Sequence, residues 1–175
     1  MSETNTQRGL RASSFKAMSL APSILDKLDR LGFVTPTPIQ LEALPLGLQG
    51  RDIVGIAQTG SGKTLAFGLP IASRLNQGDV ALILAPTREL AIQIEEVLNQ
   101  LDIRTALLIG GAPMGKQVSQ MRSRPSAIVA TPGRLLDHLS GGSVFLGKVT
   151  IVVLDEADRM LDMGFAPQGR KILDR

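Results

Sequence analysis

Residues 53–64 carry the sequence IVGIAQTGSGKT, and this short stretch decides the fold. Its first four residues are apolar, as in a strand that is buried on both faces. A glycine-rich turn follows, and from residue 63 onward apolar residues recur at helical spacing. A buried strand, a tight loop and a helix in this order predict one repeating unit of an α/β domain.

The same alternation of strand and helix runs through the rest of the chain. Apolar runs typical of buried strands lie at 53–56, 80–84, 106–109, 127–130 and 151–154. Helices are predicted at about 22–31, 38–50, 63–76, 87–101, 114–122 and 132–139. The pattern predicts an α/β fold with a parallel sheet flanked by helices. We expect one domain over residues 14–175 and a disordered polar tail over residues 1–13.

The composition excludes several classes of protein. With 43% hydrophobic and 20% charged residues in a chain of 175, a folded domain is expected. There is no cysteine, so disulfides and zinc–cysteine sites are excluded. The single histidine, His138, is expected on a helix surface without a role. No long apolar segment or secretory leader is found, and we expect a cytoplasmic protein.

The glycine-rich turn has the chemistry of a phosphate-binding loop, or P-loop. Gly60 and Gly62 let the backbone N–H groups point inward at the start of a helix, whose dipole favours an anion. Lys63 would reach the β- and γ-phosphates of a nucleotide, and the Thr64 hydroxyl would hold Mg²⁺. The alternative is a glycine-rich turn that only caps the helix. Ala57 stands where the usual pattern has glycine.

An acidic run, Asp155-Glu156-Ala157-Asp158, follows the last predicted strand. Asp155 is placed to hold the same Mg²⁺, and Glu156 to accept a proton from an attacking water. The alternative is that these acids only complement the dipole of the next helix. Together with the P-loop, they indicate Mg²⁺-dependent binding and hydrolysis of a nucleoside triphosphate.

The notable segments all follow predicted strand ends, which meet at one edge of a parallel sheet. These segments are Ala57–Thr64, Ala85–Leu90, Gly110–Gly111, Thr131–Arg134 and Asp155–Asp158. We therefore expect them to lie together at that edge.

Further motifs resemble one family. Residues 32–40, GFVTPTPIQ, resemble the Q motif of DEAD-box RNA helicases, and Phe15 stands upstream as their isolated aromatic residue does. The segments at 85–90, 110–111, 131–134 and 155–158 are similar to the family's motifs Ia, GG, Ib and II, in order. The resemblance covers residues 14–175 and implies the N-terminal RecA-like lobe of an ATP-dependent RNA helicase.

The resemblance implies an ATP site. Lys63, Asp155 and Glu156 would be catalytic, and Thr64 and Asp155 would hold Mg²⁺. Nucleotide contacts would come from Phe15, Gln40, Ala57, Gln58, Thr59, Gly60, Ser61, Gly62, Lys63 and Thr64. Gln40 would bind the adenine edge and Phe15 would stack on the base. Two alternatives stay open: Thr37 and Gln40 also form a capping box, and Phe15 also suits packing on the helix at 22–31.

The resemblance also implies RNA contacts. These would be made by Pro86, Thr87, Arg88, Gly110, Gly111, Thr131, Pro132, Gly133 and Arg134. Helix N-termini and close glycine backbone suit phosphates and carry no base readout, so RNA binding should be independent of sequence. Five Phe with no Trp or Tyr are too few for a base-stacking platform. Alternatives are an ion pair for Arg88 and a helix N-cap for Thr131.

Two parts of the family pattern are missing from the sequence. Motif III, whose strand the family places between the P-loop strand and the Asp155 strand, is not found, and neither is the second RecA-like lobe. We expect a fragment, a truncated chain or one completed by a partner, with little ATP hydrolysis of its own. Alternatives are a non-catalytic nucleotide or RNA clamp, and an unrelated P-loop ATPase.

Overall fold

The structure is a computed structural model that describes residues 14–174. The predicted disordered tail over residues 1–13 lies outside this range. The chain divides into two compact units, one ending at Arg74 and the other beginning at Leu75. Each unit is described by itself.

From residue 14 onward, the first unit consists of a short 3₁₀ turn and three helices. The turn is Phe15–Ala17, and the helices are α1 (Pro22–Arg30), α2 (Pro38–Leu48) and α3 (Lys63–Arg74). Pro22 and Pro38 stand in the first turns of their helices, where a missing N–H costs nothing. Beyond α1 the chain passes through Gly32 at φ 78°, which stops the helix.

Helices α2 and α3 pack closely against each other. A Cβ atom added to Gly47 of α2 would lie 2.7 Å from Cγ of Pro70 in α3. Leu44 and Leu69 are fully buried in the same pair of helices. Gly47 therefore allows an approach that any larger residue would prevent.

The predicted strand at 53–56 is wrong. This segment has no regular secondary structure, and Val54 and Ile56 are each 96% exposed. A strand needs a neighbour for its N–H and C=O groups, and no strand within residues 14–174 pairs with this segment. Apolar, β-branched residues alone therefore do not make it a strand.

The second unit is a parallel sheet with helices. Its strands are β1 (Val80–Leu84), β2 (Thr105–Leu108), β3 (Ala127–Ala130) and β4 (Val149–Leu154). Its helices are α4 (Arg88–Gln100), α5 (Met114–Arg122), α6 (Pro132–Ser140), α7 (Ala157–Asp162) and α8 (Ala166–Leu173). The strand order is β2-β3-β1-β4, and every pair is parallel. The predicted fold class is confirmed.

The carboxyl ends of the four strands lie level with one another. Leu84 at the end of β1 pairs with Ala130 of β3 and Leu154 of β4, and Leu108 of β2 pairs with Ala130. The loops that follow these strands therefore leave the sheet at one edge. This confirms the predicted clustering for the four segments that belong to this unit.

Alternate residues of the strands fill a core on each face of the sheet. One face carries Leu82, Leu84 and Ile128, which pack with Leu135 of α6 and Ile172 of α8. Residues of opposite parity, such as Ile83 and Val129, point to the other face, as the pleat requires. There, α4 packs on β2 and β3, and its Ile94 and Leu98 are fully buried.

Strand β4 is less covered than the other three strands. It stands last in the sheet, and none of its six residues is fully buried. Val152 and Leu154 are 45% and 43% exposed. Within the described residues, β4 has a strand neighbour only on its β1 side.

Candidate functional site

The glycine-rich loop of the first unit leads directly into α3. Gly60 and Gly62 have φ values of 79° and 89°, a region that side chains disfavour. At Gly62 a Cβ atom would also lie 2.5 Å from Nε2 of Gln40. Glycine is therefore required at residue 62 both by the backbone conformation and by its neighbour.

Lys63 closes this loop upon itself. Its ammonium group donates a hydrogen bond of 2.9 Å to the carbonyl oxygen of Ala57, at the other end of the loop. The Ser61 N–H donates to the Gln58 carbonyl at 3.2 Å and forms a turn between them. The two ends of the loop are therefore joined through the Lys63 side chain, whose ammonium group carries a positive charge.

Gln40 joins the start of α2 to this loop. Its Oε1 accepts from the Thr37 N–H at 2.9 Å, and its Nε2 donates to the Gly62 carbonyl at 2.9 Å. The capping-box arrangement that the sequence predicted is present, and Gln40 is 2% exposed. The Thr37 hydroxyl, however, is buried and has no hydrogen-bond partner in the part of the chain that the structure describes. The contact with Gly62 was not predicted, because it joins residues far apart in sequence.

Of two other predicted nucleotide contacts, Phe15 is a buried residue, whereas Ser61 is half-buried with a buried hydroxyl. Phe15 is 3% exposed, which agrees with the packing alternative and leaves its role towards a base as a prediction. The Ser61 hydroxyl is buried without a hydrogen-bond partner in the described protein, as the Thr37 hydroxyl is.

The acidic run begins in the second unit, directly after β4. The Asp155 N–H continues the ladder by donating to the Leu84 carbonyl at 3.0 Å, and Asp155 is 7% exposed. Its Oδ1 accepts from the Glu156 N–H at 3.1 Å. A buried carboxylate at a strand end is thus held by the backbone of its own turn.

Glu156 has an unusual backbone for a residue with a side chain. Its φ and ψ of 50° and 49° are left-handed, and it is the N-cap of α7. Its Oε2 forms an ion pair of 3.2 Å with Nη1 of Arg159, one turn further on. Sequence reasoning missed Arg159, although the spacing of three residues was a usable signal.

Two arginines bind the backbone of the loop that follows β2, residues 109–113, here called the β2–α5 loop. Nη1 of Arg88 donates to the Gly110 carbonyl at 3.0 Å. Nη2 of Arg134 donates to the Ala112 carbonyl at 3.3 Å. The ion pair offered as the alternative for Arg88 stays a prediction, since the contact that the structure shows is with this carbonyl. The structure thus brings the GG, Ia and Ib segments together.

The two threonines of these segments differ in what their hydroxyls do. Thr87 caps α4, since its Oγ1 accepts from the Leu90 N–H at 3.3 Å. Thr131 stands at the N-cap of α6, but its side chain makes no capping hydrogen bond. The N-cap alternative for Thr131 therefore holds for its position and not for its hydroxyl. Nearby Pro86 and Pro132 are buried, while Gly133 is half-buried.

His138 is fully buried, so its expected place on a helix surface is wrong. Its Nδ1 lies 2.7 Å from Oγ of Ser143, and its Nε2 lies 2.8 Å from Oε1 of Gln117. Both ring nitrogens have partners, which makes burial of the polar ring tolerable. Burial lowers the pKa of His138 below its ordinary 6.5, and the nearby charge of Arg134 lowers it further. The charge of Asp137 raises the pKa, but by less.

Sequence reasoning also missed Gln117, although a signal was present. Its Nε2 donates to the Ile109 carbonyl at 2.8 Å, and the residue is 2% exposed. Gln117 lies four residues before Met121, which packs against the core. His138 likewise lies three residues after buried Leu135, so both polar residues stand on inward helix faces.

Comparison with known proteins gives the family. Residues 37–175 match the family described as "DEAD/DEAH box helicase". The chain belongs to this family.

Curated relatives agree with this assignment. This DEAD/DEAH box protein is 49% identical over 171 residues to the ATP-dependent rRNA helicase RRP3 of Eremothecium gossypii, covering 93% of this chain and 34% of the relative. It is 48% identical over 177 residues to the probable ATP-dependent RNA helicase DDX23 of Homo sapiens, covering 92% and 22%. The chain therefore spans about a third or less of the length of these relatives.

A solved structure agrees as well. The crystal structure of a DEAD box protein from Methanococcus jannaschii matches this DEAD/DEAH box protein with a TM-score of 0.88 and 39% identity. The match covers 93% of this chain and 46% of that one. The fold is therefore that of the RecA-like domain of DEAD-box proteins.

Residues 14–174 lack two kinds of feature. No three His, Cys, Asp or Glu side chains of this DEAD/DEAH box protein are grouped so that they could hold a metal ion. Over the same residues, no helix has both the length and the apolar character needed to cross a membrane.

Proposed function

We propose that this chain is the ATP-binding and RNA-backbone-binding lobe of an RNA helicase that couples Mg²⁺-dependent ATP hydrolysis to unwinding or remodelling of RNA. The observation that carries the proposal is the closed loop from Ala57 to Lys63 at the start of α3. Relatives with the same family assignment are named ATP-dependent RNA helicases. A cytoplasmic location is part of the proposal.

The loop suits the phosphates of ATP. Lys63 would exchange its bond to the Ala57 carbonyl for phosphate oxygens, which are charged and form a stronger hydrogen bond. The first N–H groups of α3 have no partner within the helix, and the helix dipole favours an anion there. The unpartnered hydroxyls of Ser61 and Thr37 are further donors beside this loop.

The adenine contact would come from Gln40. Its amide uses one N–H on the Gly62 carbonyl and one oxygen lone pair on the Thr37 N–H. A primary amide has a second N–H and a second lone pair, so it can still pair with the edge of a base. The capping role and the adenine role are therefore compatible, and Phe15 is the residue we assign to stacking.

The residues assigned to Mg²⁺ are Thr64 and Asp155. A hydroxyl and a carboxylate are the hard oxygen donors that Mg²⁺ prefers, and an ion held by them would supply positive charge against the phosphates. Glu156 is assigned to accept the proton of the attacking water, and its ion pair with Arg159 holds the carboxylate in place. In the family, arginines of a second lobe complete the catalytic charge, so little turnover is expected from this chain alone.

The RNA contacts would lie at the carboxyl edge of the sheet. The loops after β1, β2 and β3 leave the sheet there, and Arg88 and Arg134 meet at the β2–α5 loop. Each guanidinium has five N–H groups and uses one of them on a loop carbonyl, which leaves others for phosphates. Such contacts bind the RNA backbone without reading its bases.

Calorimetry with Mg²⁺ and ATP tests the ATP site. We expect Lys63→Ala to remove measurable binding, because the cation that crosses the loop is lost. Lys171→Ala is the matched control, since Lys171 is an exposed lysine of α8, and it should bind as the parent chain does. Equal affinity of the Lys63→Ala chain and the parent would contradict the assignment.

The same experiment separates the two roles of Gln40. Gln40→Glu keeps an oxygen for the Thr37 N–H but loses the donor to Gly62, whereas Gln40→Ala loses both. We expect both variants to lose the preference for ATP over GTP. In urea denaturation the alanine variant should lose the cap on the Thr37 N–H, worth about 1 kcal/mol, whereas the glutamate keeps that cap but places a buried carboxylate against the Gly62 carbonyl. Unchanged ATP preference in both variants would leave Gln40 a capping residue only.

A further inference from the structure

A continuous chain of side-chain hydrogen bonds runs through the interior of the second unit. It starts at the Ile109 carbonyl, which accepts from Nε2 of Gln117 at 2.8 Å. Oε1 of Gln117 lies 2.8 Å from Nε2 of His138, and Nδ1 of His138 lies 2.7 Å from Oγ of Ser143. Gln117 is 2% exposed and His138 is fully buried, so water does not compete for these groups.

The proton positions in this series of hydrogen bonds can be assigned by starting from the Ile109 carbonyl. The Ile109 carbonyl only accepts, so the NH₂ group of Gln117 faces it and Oε1 faces the imidazole. Oε1 also only accepts, and Nε2 of His138 must therefore carry a proton. Nδ1 then accepts from the Ser143 hydroxyl when the ring is neutral.

A second assignment exists for the charged ring. In the imidazolium form, Nδ1 donates to Ser143, whose hydroxyl donates instead to the His138 carbonyl at 3.1 Å. The bond from Nε2 to Gln117 is the same in both forms. Burial and the Arg134 charge lower the pKa of His138, which favours the neutral Nε2–H form near neutral pH.

This series of hydrogen bonds reaches the β2–α5 loop at the Ile109 carbonyl. The peptide between Ile109 and Gly110 is planar and trans, so its C=O and N–H point in opposite directions. Holding the Ile109 carbonyl against Gln117 therefore turns the Gly110 N–H away from the interior. Arg88 holds the Gly110 carbonyl and orients the next peptide, with the Gly111 N–H, in the same way.

We propose that Gln117 and His138 are positioning residues that orient the Gly110 and Gly111 amides of the β2–α5 loop for an RNA phosphate. His138 fixes which way the Gln117 amide faces, and Gln117 fixes the Ile109 peptide. This rests on the proposed function for its ligand, although the orientation of the loop is independent of any ligand.

The test compares three variants of the 175-residue chain. His138→Leu fills the space but donates nothing to Gln117, whereas His138→Gln offers an amide N–H that can reach it. Ser143→Ala is the matched control, because it removes a hydrogen bond from the same ring and leaves the Gln117 contact. The readouts are the NMR amide signals and hydrogen exchange of Gly110 and Gly111, and affinity for an oligouridine RNA.

We expect His138→Leu to shift both glycine amide signals, to speed their exchange and to weaken oligouridine binding about fivefold, the effect of one hydrogen bond. His138→Gln should restore most of this, and Ser143→Ala should leave the glycine signals in place. A folded His138→Leu chain with unmoved glycine signals would overturn the proposal, as would a His138→Gln chain no better than the leucine variant.

The wild-type chain supplies a test that needs no variant. His138 is the only histidine, so its ring nitrogens are assigned without ambiguity. Nitrogen NMR at neutral pH should find the proton on Nε2, and a proton on Nδ1 alone would overturn the assignment even if the leucine variant fails to fold. If Arg88→Ala left RNA affinity unchanged while His138→Leu still moved the glycine signals, the RNA assignment would fail and the positioning role would stand.

Discussion

Glu156 is held in a backbone conformation that costs free energy for any residue with a Cβ atom. Left-handed φ and ψ angles cost roughly 1–2 kcal/mol for non-glycine residues. The turn after β4 nevertheless has this conformation at the residue assigned to proton transfer. Strain at such a position is typical of residues whose side chain has to be presented in one direction.

The strain at Glu156 can be measured by comparing two truncations. Glu156→Gly and Glu156→Ala both remove the carboxylate and its ion pair with Arg159, but only glycine adopts the left-handed region freely. We expect the glycine variant to exceed the alanine variant in free energy of unfolding by about 1 kcal/mol, measured by urea denaturation. Asp158 in α7 is the control, where alanine should be the more stable of the same pair. A more stable alanine variant at residue 156 would contradict the conformation.

His138 makes stability depend on pH in a defined direction. Its folded pKa lies below the ordinary 6.5, so the unfolded chain takes up the proton first as the pH falls. The free energy of unfolding should be constant above pH 6.5 from this group and should decrease below it, by at most about 1.4 kcal/mol per pH unit. The loss continues until the folded pKa is passed.

Urea denaturation between pH 5 and 8 checks this, since carboxylates titrate mostly below about pH 4.5. His138→Gln should remove the decrease between pH 6.5 and 5 while leaving any change at lower pH. An identical pH profile for the variant and the parent would mean that the histidine is protonated equally in both states.

At the scale of elements, the two arginines that bind the β2–α5 loop, Arg88 and Arg134, lie in the first turns of α4 and α6. If RNA lies at this edge, Arg88→Ala with Arg134→Ala should reduce the slope of log affinity against log salt concentration by about one to two. Arg104→Ala with Arg122→Ala is the control, because these exposed arginines precede β2 and β3 at the opposite edge. Filter binding over a salt series measures both slopes. Equal reductions in the two pairs would place the RNA elsewhere.

Local pattern predicted some elements well and one wrongly. The strands at 80–84 and 127–130 are confirmed, because a short apolar run between turns is typical of a strand that is buried inside a sheet. The segment at 53–56 is equally apolar but has no strand partner among residues 14–174. Whether a partner strand is available cannot be predicted from the segment's own sequence. No range was predicted for helices α7 and α8, although a helix after the acidic run was part of the alternative given for it.

The candidate site was predicted as residues and not as contacts. Glycine spacing and acidic runs are local signals, so the P-loop and the acids could be named from the sequence. The bonds from Gln40 to Gly62 and from Arg88 to Gly110 each span 22 residues, and no periodicity encodes them. The burial of His138 depends on Gln117, which lies 21 residues before it on another helix.

At the scale of the whole molecule, the fold class followed from the alternation of strands and helices, and the family followed from the order of several motifs and not from any single one. The P-loop would suit many ATPases, whereas the segments at 32–40, 85–90, 110–111 and 131–134 together resemble one family. The match of residues 37–175 to that family confirms the reading.

The exposed side of β4 has a consequence for the behaviour of the protein in solution. Among residues 14–174, the outer side of β4 has no strand neighbour and carries exposed apolar side chains, so a second chain can add a strand there. Particle size measured by light scattering should therefore grow with protein concentration. Val152→Lys should suppress this growth by placing a charge on the edge, while Val34→Lys, at a valine that is 69% exposed in the first unit, should not. Equal growth in the parent and both variants would place the self-association surface elsewhere. Suppression by Val152→Lys alone would make β4 the strand to substitute when this protein has to be concentrated.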